Sequence, residues 1–166
     1  MQKKTENNLP LDASLEQVIR FYSDMVYRLA FARTSTSHDA DDVYEEVFFR
    51  LLKKKPKFHS EEHRRAWLIR VTINCSNTFL TDLWRKRTQE LPEDLPFQEP
   101  EDYELYSSLQ QLQAKYRSVI HLFYYEDMSV EEISHLLNRK PSTVRTQLTR
   151  AREQLRHLLK EEDYDF

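Results

Sequence analysis

Apolar side chains return at helical spacing along most of the chain. Leu15, Val18, Ile19, Tyr22, Val26 and Leu29 make the first such stripe, and Ser14 with Gln17 places a capping-box pair at its head. An amphipathic helix is predicted there. A second is predicted from near Ser37, with Ala40, Val43, Val47, Phe48, Leu51 and Leu52 on its apolar face; it runs out in Lys53, Lys54 and Lys55, cations that suit the carbonyl end of a helix, before Pro56. A third starts after Ser60 or a few residues later and carries Ala66, Trp67, Val71 and Phe79 toward Trp84, with Arg85, Lys86 and Arg87 at its end.

After an interruption the pattern resumes around Leu105 to Leu112 and again around Tyr116 to Tyr125. Two shorter signals follow in tandem. Ser129 and Glu132 form a capping box ahead of Ile133, Leu136 and Leu137; Asn138, Arg139, Lys140 and Pro141 break the pattern; a new helix capped by Ser142 then begins. Helix, short turn, helix is the unit that many proteins use to enter the major groove of DNA. The interruption itself, TQELPEDLPFQEPEDYE, combines Pro92, Pro96 and Pro100 with like charges, which disfavours helix and core alike and predicts an extended linker. The expected organisation is all-α: a helical domain over residues 1–88, an acidic Pro-containing linker over 89–104, and a second small helical domain over 105–166.

Composition narrows the chemistry. The 166 residues include no glycine, so phosphate-cradling loops, dinucleotide fingerprints and the strained turn of serine hydrolases are excluded. The single cysteine, Cys75, can neither close an intramolecular disulfide nor complete a multi-cysteine zinc site, and is expected as a buried small hydrophobe. The opening MQKKTENNLPLDAS lacks the apolar stretch of a secretory signal, and no run approaches the length that spans a bilayer. The expectation is a soluble cytoplasmic protein with no membrane insertion. A net charge of −3 conceals segregation: residues 91–107 hold six acids and no base, whereas residues 108–160 hold nine bases against five acids. Local basic faces are thereby left for a polyanion.

Three segments carry candidate chemistry. From Arg139 to Lys160 there are seven bases and one acid; Val144, Leu148, Ala151, Leu155, Leu158 and Leu159 are expected to pack inward, leaving Arg145, Thr146, Thr149, Arg150 and Arg152 outward. In a recognition helix such side chains reach base edges, where arginine pairs with guanine in bidentate fashion. A solvated basic face is the bland alternative, and the capped helix and turn that precede it favour DNA. On the second helix, Asp39, Asp41 and Asp42 are ordinary partners of a helix start. Glu45 and Glu46 lie deeper, and beside Tyr44 and Phe49 they form an acidic, aromatic surface suited to a basic protein helix. The segment FHSEEHRRAWLIRVTINCSN mixes aromatic, basic and amide side chains, as a single-stranded nucleic acid requires, with Trp67 at core spacing. No catalytic or metal constellation assembles: His59 and His63 lack a third ligand, and Cys75 lacks a paired base. A binding protein is expected, not an enzyme, and no cofactor. A stand-alone helix-turn-helix regulator and a helical enzyme are the competing classes; the first leaves the acidic face unused, the second lacks a nucleophile or metal set.

The same segments resemble one family. DADDVYEEVFFRLL is similar to the second-region helix of bacterial sigma factors, AWLIRVTIN to the helix that follows it, and YRSVIHLFYYEDMSVEEISHLLNRKPSTVRTQLTRAREQLRHLL to their region four. Both lobes occur in the right order with no middle domain, which resembles the short extracytoplasmic-function group of the sigma-70 family. The resemblance implies a transcription initiation factor that binds core RNA polymerase. It implies that Asp39, Asp42, Glu45, Glu46 and Phe49 meet the clamp helices of polymerase, and that region four meets the flap. Phe58, His59, Arg64 and Arg65 match a loop that captures a flipped base of the melted minus-10 element, with Asn74 beneath it. Ser142, Thr143, Arg145, Thr146, Thr149, Arg150 and Arg152 match the region facing the minus-35 element. An anti-sigma partner is implied as well. The chain departs from the family with Glu45 for a usual glutamine, Asn138 and Ser142 where glycine is frequent, and Thr78 and Thr81 in place of an aspartate and an arginine.

Overall fold

The computed structural model describes residues 8–86 and 108–159. Three long helices form the first lobe: α1 (Leu15–Thr34), α2 (Ser37–Lys54) and α3 (Glu61–Lys86). The second lobe has α4 (Ala114–Ile120), continued by a π-helical turn over His121–Tyr125, then α5 (Val130–Leu136) and α6 (Pro141–Leu158). No strand occurs among the described residues, in keeping with the all-α expectation. The expected linker and the helix start near Leu105 lie outside the described residues, as do the side chains at Trp84 and Arg85 to Arg87; residues 108–111 are helical.

Local chemistry sets the helix limits. Ser14 accepts from the Gln17 amide at 3.2 Å while the Gln17 side chain accepts from the Ser14 amide at 2.9 Å, the predicted capping box. Ser129 and Glu132 repeat the device at α5. Thr36 caps α2 by accepting from the Asp39 amide. The cap expected at Ser142 is a correction: α6 starts at Pro141, whose missing N–H and fixed φ suit the first helical position, and Ser142 lies inside the helix. The helix expected over Tyr116 to Tyr125 likewise changes character, because its last turn widens and the Glu126 amide donates to His121 O rather than one residue later.

In the first lobe, Val26, Leu29 and Ala30 of α1 pack with Ala40, Val43, Val47 and Leu51 of α2 and Leu68, Ile69 and Ile73 of α3. On α3 the apolar face is rotated from the expected one. Ala66, Trp67, Val71 and Phe79 are half-buried, while the fully buried line runs through Leu68, Ile69, Thr72, Ile73, Cys75 and Ser76. Thr72 and Ser76 enter the core because their hydroxyls donate back to Leu68 O and Thr72 O, each at 2.7 Å, so neither hydroxyl is left unsatisfied. Two further expectations fail at the edge of the buried stripe. Leu52 and Leu158 are exposed, at 45% and 37%, where an inward position was expected; Leu51 and Leu159 take the core sites beside them. The second lobe closes over Val119, Leu122, Ile133, Val144, Leu148, Ala151 and Leu155.

Across the lobes, α1 lies against α4. Arg33 at the end of α1 is 5% exposed and donates to Ser118 Oγ, to Ala114 O at 3.2 Å and, within its own lobe, to Asn77 Oδ1. Arg117 reaches back to Arg33 O at 3.1 Å.

Candidate nucleic-acid and polymerase interfaces

The turn between α5 and α6 spans residues 137–140, with Asn138 at φ 53, a left-handed geometry that asparagine tolerates. It sets α6 with Val144, Leu148, Ala151 and Leu155 buried and Ser142, Thr143, Arg145, Thr146, Thr149 and Arg150 all exposed along one face. The hydroxyls of Thr146 and Thr149 donate to the carbonyls one turn back, of Ser142 and Arg145. Arg145 lies 3.8 Å from Glu131, a solvated pair of little strength. Arg152 stands apart from this group: its Nε donates to Tyr124 Oη at 2.8 Å, and its guanidinium lies over the rings of Phe123 and Tyr124 at 5.5 and 5.6 Å. It clasps α6 to the π-helical turn.

The segment Phe58 to Arg65 is loop only as far as Ser60; from Glu61 it is the first turn of α3, and Ser60 Oγ accepts from the His63 amide. Phe58 stands edge-on to His63 at 5.4 Å and to Trp67 at 5.8 Å, while His59 and His63 are stacked and exposed. Flat faces are therefore presented beside Asn74, exposed two turns further along the helix from Trp67. Arg64, expected at this surface, is only 3% exposed. It donates to Glu61 at 2.6 Å and to the carbonyls of Pro10 and Leu11 at 3.2 and 2.8 Å, stapling the segment before α1 onto α3. Glu61 also accepts from the Tyr22 hydroxyl, whose pKa is raised by burial and by that carboxylate. Arg65 is half-buried and donates to Glu126 O at 2.7 Å and Glu126 Oε2 at 3.3 Å, on the other lobe.

On α2, Asp42, Glu45, Glu46, Phe49 and Lys53 fall on one face at helical spacing, all exposed, with Leu52 beside them. Phe49 is 56% exposed, with Lys53 Nζ 6.0 Å from its ring centre. Glu46 pairs with Arg50 at 2.9 Å, and Asp39 is half-buried. Tyr44, expected beside Phe49, instead packs inward against Phe48 and Tyr27 with its hydroxyl on Ser23. Cys75 is buried and its thiol is pushed up by that burial, as an inert core residue requires.

Comparison with known proteins gives this arrangement a family. Residues 18–86 match the family model for Sigma-70 region 2, and residues 103–155 match that for Sigma-70, region 4. The RNA polymerase sigma-E factor of Streptomyces coelicolor is 31% identical over 160 residues, spanning 90% of this chain and 88% of its own. The chain belongs to the sigma-70 family. Within it the resemblance is to the extracytoplasmic-function (ECF) group: the ECF RNA polymerase sigma factor SigW of Bacillus subtilis is 28% identical over 172 residues, covering 87% of this chain and 88% of the relative. The ECF sigma factor SigE of Mycolicibacterium smegmatis is 31% identical over 159 residues and 88% of this chain, which spans 62% of that relative's length. Among solved structures, RpoE of Bartonella quintana, crystallised with the anti-sigma factor NepR, shares the fold with a TM-score of 0.76 at 20% identity, over 90% of this chain and 98% of that one. CnrH, in complex with the cytosolic domain of CnrY, follows at 0.66 and 25% identity, over 90% and 89%. Sigma factors are initiation factors and not enzymes.

Among the described residues of this sigma factor no three metal-ligating side chains cluster, and no helix is long and apolar enough to cross a membrane. Sequence reasoning missed Arg28, Arg33, His121 and Glu126. Arg28, Arg33 and Glu126 matter through contacts between lobes, which no local pattern encodes, and His121 through its contact with Glu126.

Proposed function

We propose that this sigma factor binds core RNA polymerase in the cytoplasm and directs it to promoters through two separate DNA contacts. The α6 face reads the duplex minus-35 element: Arg145 and Arg150 address base edges, Ser142, Thr143, Thr146 and Thr149 address phosphates and neighbouring bases, and the first-turn amides favour a phosphate. Arg152 acts through Tyr124, holding α6 in place. In the other lobe Phe58, His59 and Asn74 hold an unstacked base of the melted minus-10 strand, with Arg65 on its backbone. Extruding a base costs a few kcal/mol, and stacking on an aromatic face returns about 1–3 kcal/mol per base. Arg64 serves this site only by fixing the start of α3.

The α2 face meets the polymerase clamp helices and the second lobe meets the flap. The observation that carries this reading is the exposed line Asp42, Glu45, Glu46 and Phe49: an acidic stripe around an uncovered phenylalanine has no use in a solvated lobe and suits a basic helix. The domain limits of 1–88 and 105–166, joined by an acidic linker, make the second contact intramolecular once the first has formed, so neither lobe needs high affinity alone. An anti-sigma protein is a further proposed partner, by analogy with RpoE, crystallised with the anti-sigma factor NepR.

Pull-down of core polymerase tests the reading. The wild-type chain is expected to retain core; Asp42→Arg, on an exposed site where folding is not at stake, is expected to lose most of it. Equal retention by the two would remove α2 from the interface.

A further inference from the structure

His63, Trp67, Arg70, Asn74, Thr78 and Thr81 recur at helical spacing on α3 and fall on one line, Trp67 half-buried and the others exposed. The Thr78 and Thr81 hydroxyls donate back to Asn74 O and Asn77 O at 3.1 and 2.9 Å. Arg70 is the one permanent cation of that line. It stands nearly one turn beyond Trp67 and about 6 Å along the axis from Asn74. Among the described residues its side chain has no hydrogen bond or ion pair.

The connection before α3 repeats the situation. Lys55 and Lys57 are exposed on either side of Pro56, and Lys57 immediately precedes Phe58, whose ring stands 5.8 Å from that of Trp67. Among the described residues no acid pairs with either lysine; Glu61, the first acid of α3, is taken by Arg64 at 2.6 Å and by the Tyr22 hydroxyl. The carbonyl end of α2 accounts for Lys53 and Lys54 in its last turn. It does not account for Lys57, three residues past that helix, or for Arg70 inside another. Unpaired like charges repel and return nothing to the fold, whereas a polyanion laid across them draws on both. Contiguity runs from Lys57 to Phe58 by the chain, from Phe58 to Trp67 by ring contact and from Trp67 to Arg70 by a helical turn. The aromatic cluster thus has a cation at each end.

We infer that Lys57 and Arg70 bind two phosphates of the unpaired DNA strand, one on each side of the base that Phe58 captures, so that the site takes a run of single strand and not one extruded base alone. This rests on the minus-10 assignment of Phe58 and Asn74 made above. Contacts to the backbone carry no sequence information; they position the strand while Asn74 addresses a base edge. Each cation that meets a phosphate releases counterions, so log affinity falls against log salt with a slope of about 0.7 per contact on a single strand.

The test uses the full-length chain and two fluorescent probes titrated across salt: an oligothymidylate of about 15 residues and an abasic deoxyribose-phosphate chain of the same length. Lys57→Gln and Arg70→Gln, both at exposed positions, are each expected to lower the salt slope by about 0.7 on both probes, and the double variant by about 1.4. Arg20→Gln on α1, an equal change of net charge at another exposed arginine, is expected to keep the wild-type slope. An unchanged slope in the double variant, an equal fall with Arg20→Gln, or a wild-type chain that binds neither probe at low salt would each overturn the track. A double variant that keeps its slope but loses core polymerase in pull-down would overturn it in favour of a protein contact. The minus-10 reading fails separately. Phe58→Ala is expected to weaken oligothymidylate and leave the abasic probe as it was; equal binding of oligothymidylate by Phe58→Ala and wild type would remove base capture and leave the phosphate contacts standing.

Discussion

With no glycine available, left-handed backbone falls to residues that carry a Cβ: Ser35, Lys55, Asp127 and Asn138, with φ of 75, 43, 56 and 53. Each ends a helix or sits in the connection that follows one, where glycine is the usual choice. Asparagine offsets part of the steric cost with its short polar side chain, and lysine does not. Lys55→Gly is therefore expected to raise stability by about 1 kcal/mol, and Asn138→Gly to leave it within about 0.5 kcal/mol, in urea unfolding with an unchanged slope. A less stable Lys55→Gly would contradict the role given to that backbone strain. Glu126 makes a second prediction at this scale. Burial alone would raise its carboxyl, but the hydrogen bond from His121 and the positive charges of His121, Arg65 and Arg28 outweigh it and hold the group below its ordinary 4.5. A depressed acid stabilises fully above the ordinary value and loses that contribution as pH falls through the folded one. The interlobe distance of the free chain should thus lengthen as pH falls below the ordinary carboxylate range, whereas in Glu126→Gln that acid-dependent step should be absent.

At the level of elements, chemistry confined to a few neighbouring residues was legible before any coordinates. The capping boxes at Ser14 and Ser129, the turn around Asn138 and the inward line Val144, Leu148, Ala151 and Leu155 are each written in spacing and residue type. What escaped was decided by neighbours far along the chain. Thr72 and Ser76 read as polar and are core, since a hydroxyl can be satisfied by its own helix; Leu52 reads as core and is surface, since nothing packs above it. Arg64 and Arg65 are adjacent and alike, yet one is buried under Pro10 and Leu11 and the other reaches the second lobe. The same distinction separates the arginines of α6. Arg145→Ala and Arg150→Ala should each cost about 1–3 kcal/mol in discrimination between matched and mismatched minus-35 duplexes, with little change in melting temperature. Arg152→Ala should lower the melting temperature and weaken all duplexes alike. Equal loss of discrimination from all three would erase the division between a reading face and its support.

Taken whole, the molecule consists of two small helical bodies with opposite needs. One exposes an acidic stripe around Phe49 and an aromatic cluster at the start of α3; the other exposes a basic helix face. The hydrogen bonds and ion pairs between them centre on Glu126 and Arg33, beside a hydrophobic cluster that runs through both lobes. The relatives are sigma factors, initiation factors and not enzymes, and in the proposed function the two lobes act by where they place polymerase. The most direct measurement is transcription from genomic DNA by core polymerase stripped of its own specificity subunit, with start sites mapped in the presence and absence of this protein. Starts are expected to gather downstream of one shared two-part sequence when the wild-type chain is added, and to scatter again with Asp42→Arg. Start sites that stay where core alone puts them, at every concentration of the wild-type chain, would contradict the account.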